Sequence, residues 1–163
     1  MIVEEAVVPG SAMRLYSIDA CRPELQQLHA LWQRLRGARH MPARSDFDPM
    51  QVPKLLPDIF LVDVFADAPR ERRYRVRLQG TAQVDYNGAD WTGRFLHEAV
   101  DRVPADRFCA VGDAVVAGRT PWMSTGKLYW LPAKPFYRFE TILLPLSDDD
   151  VSVNMILGLT RLF

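Results

Sequence analysis

Arg36, Arg39, Arg44, Asp46 and Asp48 form the densest polar group of the sequence. A guanidinium is a rigid fork of donors that takes a carboxylate or phosphate through two parallel bonds, so Arg36 and Arg44, on a stretch stiffened by Pro42 and Pro49, could hold an anion. The acids offer a competing use. Asp46 and Asp48 can accept from Arg36, Arg44 and nearby amides, and either can cap the turn that starts near Pro49. Two acids among the arginines favour internal pairing over an anion site.

Arg70, Arg72, Arg73, Arg75 and Arg77 form a second basic group. Alternate strand residues form a solvated face, and Asp63 and Asp67 are near, so no nucleic-acid surface is expected. Aromatic side chains, Trp91, Trp122, Tyr129, Trp130, Phe136, Tyr137 and Phe139, gather in the second half of the chain. They can line a pocket for a planar or apolar ligand, with the polar tips of Trp and Tyr orienting it, or simply fill a core. Alternation puts Tyr137, Phe139 and Thr141 on one face and Arg138, Glu140 and Ile142 on the other.

Catalytic patterns are weak. GxSxG, P-loop, HExxH and dinucleotide-binding glycine motifs do not occur, and His29, His40 and His97 are scattered, with His29 expected on an exposed helix face. Cys21 and Cys109 lie far apart and outside any zinc-ligand spacing, so neither a disulfide nor a structural metal is expected. Cys109 reads as a small buried thiol. Ser147 with Asp148, Asp149 and Asp150 reads as a solvated turn.

The elements that must position these groups follow from periodicity. Leu25, Leu28, Leu31, Trp32 and Leu35 recur at helical spacing behind Pro23, giving a helix over 23–36 that Gly37 ends. Pro42, Pro49, Pro53 and Pro57 break the chain before strands at 59–65 and 73–78. Gly80, Gly88 and Gly93 punctuate short helices, a longer helix spans 104–117, and three strands close the chain at 121–130, 136–144 and 151–162. The fold class is α+β: a five-stranded antiparallel sheet, its last three strands a meander, with helices over one face and an N-terminal flanking helix. Residues 1–19 read as a partly flexible lead, loosest at Val8–Ser11, and 20–163 as a single domain.

Several of these residues together resemble the PAS domain superfamily, and more closely the small stand-alone bacterial PAS-like proteins of about this length. The resemblance rests on Leu35, Arg36, Gly37, Pro42, Arg44, Asp46, Asp48, Pro49, Leu55, Leu56 and Pro57, then Tyr74, Arg75, Gly80 and Thr81, then Gly88, Asp90, Trp91, Thr92, Gly93 and Arg94. It implies a cup that holds a small ligand or is filled by side chains, and dimerisation through an N-terminal helix. For a homodimer, Leu25, Leu28, Trp32 and Leu35 supply the apolar stripe, although packing on the domain's own sheet satisfies it equally. The ligand-binding candidates are Arg36, Arg44, Arg75, Trp91, Trp122, Tyr137 and Phe139. Light-sensing flavin PAS domains carry a reactive cysteine near the turn at Gly93, and this chain has none there; His97, beside Glu98, reads as a surface residue rather than a haem ligand. No cofactor is named by the residues.

Composition sets the frame. The chain has 163 residues, 48% hydrophobic and 25% charged, enough for one domain with a real core. Lys plus Arg and Asp plus Glu balance at 20 each, so the whole-chain field pulls toward neither nucleic acid nor anionic lipid. Without a signal-peptide start or a membrane-length apolar run, a cytoplasmic location is the expectation. The reading is a non-catalytic sensory domain for a small molecule or protein partner, its output passing through another protein. The alternatives are a dimerisation or interaction module with a filled core, and an enzyme on a cone-shaped α+β fold using Asp85, Asp90 or Glu140.

Overall fold

The structure, a computed structural model, describes residues 2–4 and 12–163. The loosest part of the expected lead, Val8–Ser11, lies outside the described residues. The described residues form a sheet between two helical layers. Strands β1 (Ile2–Glu4), β2 (Ala12–Leu15), β3 (Ile59–Val64), β4 (Tyr74–Gln79), β5 (Trp122–Lys127), β6 (Arg138–Leu146) and β7 (Met155–Leu162) pair antiparallel throughout, in the order β1-β2-β5-β6-β7-β3-β4. Seven strands replace the five expected from sequence, because β1 and β2 extend the sheet beyond β5. Met13 pairs with Thr125 and Leu15 with Met123, so part of the region read as a lead is strand.

Helix α1 (Pro23–Arg36) starts with Pro at its first position, where a missing N–H costs nothing, and ends at Gly37 with φ 58°. Its stripe of Leu25, Leu28, Leu31 and Trp32 is buried, and α1 packs on β6, where Trp32 Nε1 donates to the Pro145 carbonyl at 2.9 Å. Ile142, Leu144 and Leu146 on β6, with Leu157 and Leu159 on β7, are among the most deeply buried side chains of the molecule. The stripe is therefore used by this domain's own sheet, which corrects the expectation that Leu25, Leu28 and Trp32 meet a second copy; Leu35 is only half-buried but packs on the same core.

After α1, the proline-broken stretch forms short 3-10 turns at Arg44–Asp46, Pro49–Gln51 and Pro53–Asp58. Asp48 caps one of them by accepting from Met50 N at 2.9 Å. Over the opposite face of the sheet lie α2 (Thr81–Asn87), α3 (Leu96–Ala99) and α4 (Arg102–Gly118). Close approach is built in at Gly112, where a Cβ would meet the Tyr74 ring at 2.7 Å, so only glycine lets α4 lie this near β4. Tyr74 OH donates to Asp113 at 2.6 Å and Arg73 Nη1 pairs with the same carboxylate at 3.0 Å, fixing α4 to the edge of the sheet.

Candidate functional site: a neutral aromatic cavity

Between the sheet and α2–α4 lies a cavity of about 140 Å³. Period-two alternation delivers its floor: Phe139, Thr141 and Leu143 from β6, Ile156 and Thr160 from β7, Phe60 and Val62 from β3, and Ser124 from β5. Helical spacing delivers its roof. Gln83, Tyr86 and Asn87 on α2 are three or four residues apart and share a face, as do Phe108, Val111 and Gly112 on α4. Trp91 and Leu96 close one side and Tyr129 with Trp130 another.

Aromatic rings dominate one end. Trp130 stands 5.3 Å from Phe139, 5.5 Å from Phe108 and 5.2 Å from Tyr129, in tilted or edge-on arrangements that suit ring quadrupoles. Hydrogen bonds hold the surrounding frame. Trp130 Nε1 donates to Asn87 Oδ1 at 3.0 Å, Gln83 Nε2 to the Asp58 carbonyl at 2.6 Å, and Trp91 N to Gln79 Oε1 at 2.8 Å. Gly93, at φ 86°, lets the chain double back so that Gly93 N reaches the Val76 carbonyl at 2.8 Å and Val76 N the Arg94 carbonyl at 2.9 Å. The turn read from sequence thus seats Trp91 against β4.

Among the described residues, no charged side chain lines the cavity. Burial pushes the Tyr86 and Tyr129 hydroxyls well above their usual range, so both are neutral donors and acceptors at physiological pH.

Of the ligand candidates, Trp91 and Phe139 line this cavity and five do not. Arg36 is spent locally, donating to Gln33 Oε1 at 2.6 Å and the Arg39 carbonyl at 2.8 Å. Arg44 donates to the Phe47 carbonyl at 2.8 Å and lies over that ring. Arg75 pairs with Asp63 at 3.1 Å and sits over Phe65, bordering a shallow surface recess with Thr92 and Gly93. Trp122 is buried with the Arg14 guanidinium 3.9 Å above its ring. Tyr137 falls outside β6, on an exposed hairpin against Phe136, because β6 begins at Arg138, two residues after the start expected at 136. Among the arginine-rich lead-in, Asp46 pairs with Arg39 at 2.9 Å and accepts from Ala43 N at 2.8 Å; that amide is the main reason its carboxyl sits below the usual range.

The remaining candidates for chemistry lie elsewhere. Asp85 is exposed, Asp90 accepts from Thr92 in an exposed turn, and Glu140 is buried on the α1 side, accepting from Arg22 N at 2.6 Å. His97, expected at the surface, is instead largely buried, its Nε2 2.9 Å from Asp106 and outside the cavity lining; His29 is half-buried on α1 rather than exposed. Cys21 and Cys109 are free and buried, and burial raises both thiols to about 11. No group of three or more metal-ligating side chains occurs among the described residues, and no helix there is long and apolar enough to cross a membrane.

The seven-stranded antiparallel sheet thus carries α1 on one face and α2–α4 on the other, with the cavity beneath α2–α4. The chain belongs to the PAS domain family, whose model matches residues 21–161. Similar solved structures include a domain of an HTR-like protein from Haloarcula marismortui, with 14% identity, 64% of this chain and 97% of that one covered, and a TM-score of 0.46. The PAS domain of BvgS from Bordetella pertussis is 18% identical over 83% of this chain and 85% of that one, with a TM-score of 0.45. An RNA-binding light-oxygen-voltage receptor is 14% identical over 94% of this chain and 39% of that one, with a TM-score of 0.44. No curated protein matches the chain.

Proposed function

We propose that this PAS domain is a non-catalytic sensory module that binds a small molecule in the cavity beneath α2–α4 and passes occupancy to a partner protein. The observation that carries the reading is the cavity itself: about 140 Å³ of space walled by aromatic and neutral polar groups at the centre of a close-packed fold. An engineered apolar cavity of about 150 Å³ suffices to bind benzene, so a compact single-ring ligand matches this size. Interaction alone, with the core filled by the domain's own side chains, is disfavoured by that same space. Catalysis is disfavoured because the carboxylates that could act as acid or base lie outside it.

Ligand entry would couple to output through α2, which lies over the cavity and is tied to the aromatic cluster through Asn87 and to Lys134, whose Nζ donates to the Tyr86 carbonyl at 2.7 Å. Free buried thiols accord with a reducing, cytoplasmic setting. Native mass spectrometry beside the denatured mass tests the proposal. A bound mass lost on denaturation, and absent from an Ile156→Phe variant that fills the cavity, is expected; the same adduct on the filled variant would place the ligand elsewhere and overturn it.

A further inference from the structure

Three amides around the cavity are oriented by chemistry alone. Gln83 faces a backbone carbonyl, which only accepts, so its Nε2 must point there and its Oε1 is left as an acceptor. Asn87 and Gln79 each face an N–H, so their oxygens are engaged and their NH2 groups are left as donors. None of these remaining atoms has a hydrogen-bond partner among the described residues. Gln83 is 3% exposed and lines the cavity, so the surface left to its acceptor lies there. Ser124 on the floor, 8% exposed, has no hydroxyl partner among the described residues and opens onto the cavity, whereas Thr141 and Thr160 satisfy each other at 2.7 Å.

From this arrangement we infer, resting on the cavity reading above, that the ligand is a neutral, planar, single-ring molecule whose edge carries both a hydrogen-bond donor and an acceptor. The aromatic end defined by Phe108, Trp130 and Phe139 takes the ring face, and Gln83, Asn87 and Ser124 take its polar edge. A carboxylate or ammonium ligand is selected against, because its charge would be buried with no counter-charge on the wall. A purely aliphatic ligand would displace water from the Gln83 acceptor and the Asn87 donor without replacing its hydrogen bonds.

Titration calorimetry with phenol, benzene, benzoate and hexanoate as probes separates the possibilities. In a wholly apolar cavity the hydroxyl of phenol would cost at least tenfold in affinity relative to benzene; here phenol binds as tightly as benzene or tighter, and benzoate at least tenfold more weakly. Gln83→Leu lowers phenol affinity about tenfold and leaves benzene unchanged. If that variant fails to fold by circular dichroism, Ser124→Ala carries the same comparison. Benzoate or hexanoate binding as tightly as phenol, and lost in Ile156→Phe, would overturn the ligand class while leaving the cavity as a binding site. Binding of none of the four probes at millimolar concentration would overturn the class and the cavity reading together.

Discussion

The ring of Phe60 on β3 lies directly across Gly158 on β7, its registered partner, in the space that a side chain would otherwise occupy. A Cβ at Gly158 would collide with three atoms of that ring. The missing side chain lets Phe60 lie over the sheet and form part of the cavity floor. Sequence and site are linked here through a single hydrogen atom.

Gly158→Ala forces Phe60 off its present rotamer. Overpacking of this kind costs about 1–3 kcal/mol. Urea denaturation is expected to show the loss, and ligand affinity should fall with it because the displaced ring moves into the cavity.

Leu28 lies under α1 against the sheet and is fully buried. Leu28→Ala removes a fully buried side chain and leaves a cavity behind, and a cost of about 2–5 kcal/mol is expected. Sedimentation should show the same oligomeric state for wild type and variant, since the stripe serves the domain's own core.

Asp46 holds a partly exposed arginine and caps a backbone amide, so Asp46→Ala acts as the loss of a cap. A destabilisation of about 0.5–2 kcal/mol is expected by chemical denaturation. A buried arginine partner would have made the effect larger; Arg39, 44% exposed, is not one.

Acid should weaken the fold in a defined window. The Asp149 carboxyl is held below its usual value of 3.8 chiefly by amides of Ser152 and Val151, that of Asp106 by His97, and that of Asp90 by Thr92. A carboxyl with a lowered folded pKa contributes stability that is fully present above its unfolded value and is lost as pH falls through the folded one. The urea midpoint is therefore expected to hold steady down to about pH 5 and to drop below about pH 4. Asp149→Asn should flatten part of that drop.

Much of this arrangement is legible in the residues. The α1 stripe, the glycine turn at Gly93 and the inward face of Phe139 follow from periods of 3.6 and 2 or from a backbone that needs φ above zero. In β4 the alternation of Tyr74, Val76 and Leu78 holds only for the first two, since Leu78, beyond the register shift opposite Leu61 and Val62, is exposed. What escaped has physical causes. β2 is four residues long and owes its strand character to β5, more than a hundred positions away, which no local pattern announces. Trp91 and Trp122 are equally aromatic, yet one faces the cavity and the other lies under Arg14, a difference set by tertiary placement. The polar wall left one trace: Gln83 and Asn87, four apart on a short helix otherwise read only as punctuated by glycines.

The most direct test of the central claim is methyl NMR with phenol titrated into labelled protein. Shifts confined to the cavity methyls of Val62, Val76, Val111, Leu143 and Ile156, and abolished by Ile156→Phe, are the expected result. Shifts clustered instead at exposed side chains such as Met50 or Val151, with the cavity methyls unmoved, would contradict it.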